Sequence, residues 1–281
     1  MKTFDTPGPI SASVEFAAAD VRVVASDRVD TVVHVTPADA TRDRDVRAAE
    51  QTRVEFLSGT LTVRGPRLPG LGMFGRVGTV DVLVELPTGS DITAKLGVGG
   101  ARCTGALGDC RLRSGAGDLQ VEQAESLILT TGMGLAAAEN VTGDAKLTTG
   151  SGKLQLRSVA GPANLKNGNG ETWVGHAGND LRINSANGDI SADHPTGSLT
   201  ANTANGDIRI RELVRGSATL RSAAGRIEVG IREGTAARLD VHTSYGRIRN
   251  EMTATEGPAG TDEQAELRAR TSFGDILIRR S

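Results

Sequence analysis

One ten-residue motif recurs through about the last two-thirds of this sequence. Leu112-Arg-Ser-Gly-Ala-Gly117-Asp-Leu-Gln-Val121, Leu147-Thr-Thr-Gly-Ser-Gly152-Lys-Leu-Gln-Leu156 and Ile183-Asn-Ser-Ala-Asn-Gly188-Asp-Ile-Ser-Ala192 share the form Φ-x-[Ser/Thr]-x-x-Gly-x-Φ-x-Φ, with Φ aliphatic or alanine. Its anchor glycines are Gly99, Gly117, Gly134, Gly152, Gly170, Gly188, Gly206, Gly225, Gly246 and Gly274, spaced by 18 residues or nearly so until the last three. A fixed period of tens of residues marks a solenoid, in which each repeat buries its apolar face only against its neighbours. The pattern predicts an all-β solenoid, similar to a parallel β-helix, of about ten coils of about 18 residues.

Side chains of a strand alternate between its two faces, so period-two rows around each anchor glycine identify the core. Two positions after the glycine stand Leu119, Leu154, Ile190, Ile208, Ile227 and Ile276, and four positions after stand Val121, Leu156, Val174, Ile210, Val229 and Ile278. Five positions before it stand Leu112, Leu129, Leu147, Leu165, Ile183 and Leu220, with a further apolar row at minus seven. Each coil therefore carries two strands. The row at minus three is polar (Ser114, Thr131, Thr149, Asn167, Ser185, Thr203, Ser222, Thr243 and Thr271) and suits a hydrogen-bond ladder along the stack. A second set of glycines, among them Gly108, Gly161, Gly178, Gly197, Gly216 and Gly234, marks the other turn of the coil and invites positive φ there.

Residues 1–93 lack the motif but alternate as strands at Val14–Phe16, Val21–Val23, Thr31–Val35, Thr60–Val63 and Thr79–Leu86. They are expected to form an N-terminal β cap over the open sheet edge that a solenoid of residues 94–281 would otherwise expose. Within the repeat domain, residues 251–266 are polar and carry Gly-Pro and Gly-Thr-Asp turn signals, as an inserted surface loop would. The stretch Gly65–Gly78 reads as a glycine-rich loop presenting Leu71, Met73 and Phe74.

Composition agrees with a thin core between many tight turns, since aromatic residues are only 2% of the chain and glycines number 36. A net charge of −2 with both signs interspersed gives no field favouring nucleic acid or anionic membrane. No apolar run follows Lys2 and no segment reaches membrane-spanning length, so no signal peptide or integral membrane segment is expected and the cytoplasm is the expected location. Cys103 and Cys110 fall in core rows and read as reduced, buried thiols.

The segment Gly78-Thr-Val-Asp-Val-Leu-Val-Glu-Leu-Pro-Thr-Gly-Ser90, followed by repeated Thr/Ser-Gly-x-Gly-Asp/Lys-Leu-x-Val units, resembles a bacterial family of β-strand-repeat proteins that carries the label "putative adhesin". The resemblance spans essentially the whole chain and implies a β-solenoid without an established enzymatic activity. Surface display would call for an export or anchoring segment that this sequence does not show.

Enzymatic β-solenoids cluster Asp, Arg or Lys on an outer sheet face, where adjacent coils bring side chains about 4.8 Å apart. The nearest approach to that arrangement is the pair Asp189 and Asp207, one coil apart, but both belong to Asn-Gly-Asp turns, where Asn and Asp serve the backbone. The Gly-Gly-x-Gly-x-Asp run of calcium-binding arrays is missing, and His34, His176, His194 and His242 have no metal-ligand or triad spacing. No catalytic residue, cofactor or metal is implied. Two surface features remain as interaction candidates. The outward rows at minus six and minus four gather Arg111, Arg113, Lys146, Lys166, Arg182 and Arg221, which suits an acidic partner or an anionic polymer. The aromatics Trp173, Tyr245 and Phe273 suit docking of a sugar or a protein. The sequence points to a non-enzymatic scaffold or interaction protein, with an unknown protein or polysaccharide partner or self-association through its ends. The alternatives are an adhesin-like or carbohydrate-binding surface module and, last, a polysaccharide-acting enzyme.

Overall fold

The computed structural model describes residues 1–66, 77–252 and 263–281. Leu71, Met73 and Phe74, and most of the insertion expected at 251–266, lie outside the described residues. The chain is all-β apart from one helix among the described residues, and it divides into two compact units, Met1–Ala138 and Glu139–Ser281.

The first unit holds β1 (Lys2–Asp5), β2 (Ser11–Ser26), β3 (Asp30–Pro37), α1 (Asp43–Glu50), β4 (Arg53–Leu57), β5 (Thr60–Arg64), β6 (Val80–Pro87), β7 (Asp91–Val98), β8 (Ala101–Ala116) and β9 (Leu119–Met133). The segments expected as two strands at Val14 and Val21 are one continuous strand, β2, long enough to make a coil by itself. Its first half pairs in parallel with β5 (Val14↔Val63) on one side and with β7 (Val14↔Ala94) on the other. Its second half pairs in parallel with β6 (Val21↔Val82) and with β8 (Val21↔Ala101). The coil made by β5 and β6 therefore lies outside that of β2, although it comes later in the chain.

Antiparallel strands finish this side: β4 pairs with β5, β3 with β6, and β1 with β3. Changing from parallel to antiparallel pairing interrupts the repeating edge against which another chain would stack. The helix α1 was missed in the sequence because its polar run supplies only Ala48 as a buried apolar side chain. It is anchored instead by Asp45, 2% exposed, whose carboxylate accepts the Thr79 backbone N–H at 2.9 Å.

In the second unit the repeat sets the register. Ala145, Ala163, Leu181 and Leu199 are successive partners on one sheet, and Leu154, Thr172, Ile190 and Ile208 on the other. The order in space changes at the last coils. Gly216–Ala224 pairs with Glu263–Phe273, and that strand pairs on its far side with Thr235–Tyr245. The companion strands follow, since Ile276–Arg280 lies between Ile227–Ile231 and Ile248–Asn250. The coil written last in the chain is thus an inner coil. Leu267, Ala269, Ile276 and Ile278 are fully buried, whereas Ile248 of the outer coil is 45% exposed.

Turns explain the glycines and the polar row. Gly188 has φ of 138°, a backbone that disfavours side chains, and a Cβ there would lie 2.1 Å from the Gly170 carbonyl oxygen. The second-turn glycines differ from the expectation of a shared positive φ, which only Gly216 and Gly234 among those named adopt. Close approach is the reason elsewhere: at Gly108 a Cβ would meet the Asp91 carboxylate at 2.5 Å.

The minus-three ladder joins side chain to backbone. Ser114, Thr203, Ser222 and Thr271 donate to the carbonyls of Gly99, Gly188, Gly206 and Gly225 at 2.8 to 3.2 Å, each glycine belonging to the adjacent coil. The exception is Ser185, whose buried hydroxyl has no partner among the described residues, because the Asn167 side-chain amide takes the Gly170 carbonyl at 2.9 Å.

Candidate interaction face

On the sheet formed by Ala145–Ser151, Ala163–Asn169, Leu181–Asn187, Leu199–Asn205 and Gly216–Ala224, the inward positions are occupied by the apolar rows and the minus-three row, so the alternate positions face out. Parallel register aligns them. One row runs Lys146, Asn164, Arg182, Thr200 and Thr219, and the next runs Thr148, Lys166, Asn184, Asn202 and Arg221. The sequence candidates Lys166 and Arg182 are therefore diagonal neighbours on adjacent strands. Beside them the face is flattened by Gly150, Gly168, Ala186, Ala204 and Ala223.

The amides order this surface. Asn202 donates to Asn184 at 3.1 Å, and along the turn Asn205 donates to Asn187 at 2.8 Å and Asn187 to Asn169 at 2.9 Å. Across these five strands the outward positions carry Lys146, Lys166, Arg182 and Arg221 and no carboxylate, and none of the four cations has an ion-pair partner among the described residues.

Insertion of the last coil extends the face in a way the sequence did not show. Arg221 stands beside Arg270, and Thr219 beside Arg268, because Glu263–Phe273 occupies the neighbouring position in the sheet. Together with Asp240 these side chains line a groove of about 300 Å³. Arg268 is paired with Glu266 at 2.8 Å and Arg270 with Asp240 at 3.4 Å, which leaves the groove with a cationic excess. A positional signal existed in the arginines of Glu266-Leu-Arg-Ala-Arg270, but placing them beside Arg221 required the coil order. Arg111, also a candidate from the row pattern, lies in the first unit and is paired with Asp109 at 2.9 Å.

The other strand of each coil presents a different surface. Arg209 and Arg279 both pair with Glu228, at 3.4 and 3.1 Å, and His194 and Arg232 both meet Glu212, at 3.0 and 2.7 Å. The hydrogen bond from Arg232 is the main reason the Glu212 carboxyl sits below the usual glutamate range. Trp173 belongs to this surface, half-buried over Gly175 with its indole N–H donating to Asp193 at 3.2 Å. Tyr245 and Phe273 lie at the turn between the two surfaces, 69% and 59% exposed and stacked on each other.

Asp189 and Asp207 are neighbours as the repeat requires, and both are engaged by backbone. Asp189 accepts the Asp207 N–H at 2.8 Å, and Asp207 accepts the Arg226 N–H at 2.7 Å. Asp20, Asp118 and Asp275 make the equivalent bond to Gly100, Leu135 and Arg247. The Gly-Asp turn is a repeated coil-to-coil staple. Among the described residues no group of three or more His, Cys, Asp or Glu is placed to hold a metal ion, and no helix is long and apolar enough to cross a membrane.

The family description Toastrack DUF4097 matches residues 11–279. Three solved structures align over nearly the full length. A "putative adhesin" from Parabacteroides merdae is 12% identical, with 100% of this chain and 95% of that one covered and a TM-score of 0.35. Another "putative adhesin", from Bacteroides fragilis, is 11% identical, with 99% and 95% covered and a TM-score of 0.32. A "putative cell adhesion protein" from Clostridium sporogenes is 9% identical, with 100% and 98% covered and a TM-score of 0.23. No curated protein matches the chain.

Proposed function

The chain belongs to the Toastrack DUF4097 family, and we propose that within it this protein is a non-catalytic interaction scaffold whose second unit binds an acidic partner along one sheet face. The observation that carries this reading is the contrast between the two surfaces of that unit. One compensates most of its charges in ion pairs around Glu212 and Glu228, Arg211 apart, while the other leaves Lys146, Lys166, Arg182 and Arg221 without ion pairs among the described residues, the last of them lining the Arg268 and Arg270 groove.

Parallel stacking repeats side chains about every 4.8 Å across the strands, so the cations, carried by four of the five strands, lie along a line that an extended polyanion can follow. Such a face acts mainly through electrostatic attraction and on-rate, and arginine adds bidentate recognition of carboxylates. Use of Asp189 and Asp207 in backbone bonds supports a structural role for the only close carboxylate pair that the repeat suggested.

The test is retention on immobilised polyglutamate and polygalacturonate at rising salt, with wild type and a Lys166→Glu, Arg182→Glu, Arg221→Glu variant. Salt-sensitive binding that the charge reversals weaken by at least about tenfold supports the reading. Equal retention of the two proteins, or none of either, removes it.

A further inference from the structure

A second charged surface lies in the first unit, on the outer side of the sheet made by β3, β6, β2, β8 and β9. It is a cleft of about 650 Å³ lined by, among others, Asp20, Arg22, His34, Asp81, Arg102 and Asp118. Register places Arg22 directly beside Arg102, and Asp20 directly beside Asp81. Like charges opposite one another across strands are destabilising, and here two such pairs, of opposite sign, sit diagonally in one concavity.

The two pairs do not neutralise each other. Asp20 is held by the Gly100 backbone N–H at 2.8 Å, and Asp118 by that of Leu135 at 2.8 Å. Arg22 and Arg102 have no ion pair or side-chain hydrogen bond among the described residues, nor does Asp81. Several other arginines of the same unit find carboxylates, among them Arg28, which meets Asp30 and Glu85 at 2.8 and 3.1 Å, and Arg111, which meets Asp109 at 2.9 Å, while Arg53 and Arg113 resemble the cleft pair in having no ion pair among the described residues. Gly100, between Asp20 and Asp118, leaves bare backbone on the floor of the cleft.

We propose that this cleft binds a small zwitterion, its carboxylate between Arg22 and Arg102 and its ammonium between Asp20 and Asp81. Two residues along a strand and one strand spacing across it separate the centres of the two pairs by about 8 Å. An extended chain advances roughly 3.3 to 3.6 Å per residue, so that separation matches the free termini of a di- or tripeptide. Both ends are recognised by groups already in place: arginine forks suit a carboxylate, and paired carboxylates suit an ammonium.

Isothermal titration of the full chain with Ala-Ala and Ala-Ala-Ala, and with their N-acetylated and C-amidated forms, tests the proposal. One free peptide is expected to bind at 1:1, with each blocked form about tenfold weaker. Arg102→Gln and Asp81→Asn should each weaken the free peptide about tenfold, and Arg111→Gln, remote and already paired, should not. All the substituted positions are exposed, and circular dichroism melting no lower than that of the wild type verifies the fold. No heat from any peptide at about 10 mM, or acetate or an acetylated peptide binding as tightly as the free one, overturns the assignment.

Discussion

Tyr245 and Phe273 stack with ring centroids 5.0 Å apart and planes 7° from parallel. They are direct partners in the register of Thr235–Tyr245 with Glu263–Phe273. The contact records how the chain ends: the coil at 263–280 is taken inside the coil at 235–250, which becomes the outer one.

Stability should follow that spatial order rather than the sequence order. Leu267 is fully buried, whereas Leu239, its partner in the outer coil, is only partly so. Leu267→Ala is expected to cost about 3 kcal/mol and Leu239→Ala about 1 kcal/mol, measured by guanidinium denaturation. Equal losses would contradict the coil order.

The Asp staple should carry measurable stability without any partner present. Asp207→Ala removes the acceptor for the Arg226 N–H, and because this turn is exposed, water can take its place. The expected loss is about 1 kcal/mol, with Asp207→Asn, which keeps an acceptor oxygen, losing less. Denaturation midpoints of the two variants against wild type decide it.

Acid should weaken the second unit through Glu212. Its carboxyl is held below the usual glutamate range chiefly by the Arg232 hydrogen bond, with His194 adding to the effect. A carboxyl whose pKa is lower folded than unfolded contributes stability that is fully present above its unfolded value and lost as pH falls through the folded one. The fall should therefore begin near pH 4 and continue below it, at about the ordinary glutamate pKa. Glu212→Gln should flatten that part of a plot of melting temperature against pH, while an unchanged slope would place the acid sensitivity elsewhere.

The cysteines should be silent in the folded protein. Cys103 and Cys110 are free, 1% and 0% exposed, and the Cys110 thiol is pushed well up by its hydrogen bond with Cys103 and by burial. Thiolate is the reactive form, so alkylation by iodoacetamide at pH 8 should be negligible until denaturant is added. Rapid labelling of the native chain would show that this core opens.

Much of the interior was legible because it is periodic. The rows containing Leu154, Ile190 and Ile208 or Leu147, Leu165 and Ile183 assign a face by alternation alone, and Cys110 could be placed in the core by its row position. The outward position of Lys166 and Arg182 on the candidate face was legible for the same reason. Trp173 was legible only as outward; that its ring lies over Gly175 and its N–H reaches Asp193 depends on a partner one coil away. The helix at Asp43–Glu50 was hidden because Asp45 and Ala48, rather than an apolar stripe, hold it in place.

By itself the sequence determined the period, the two strands per coil, the inward rows and the turn at the anchor glycines, because each depends on residues a few positions apart or on a repeat that restates itself. Only the tertiary structure decided that the strands at 60–64 and 80–87 stack outside residues 11–26 and that residues 263–280 slip inside residues 235–250. Parallel coils of similar sequence present nearly equivalent edges, so local pattern does not say which edge a coil will take. That choice is made by the packing of the whole end of the stack, and it is what brings Arg268 and Arg270 beside Arg221 and Arg102 beside Arg22.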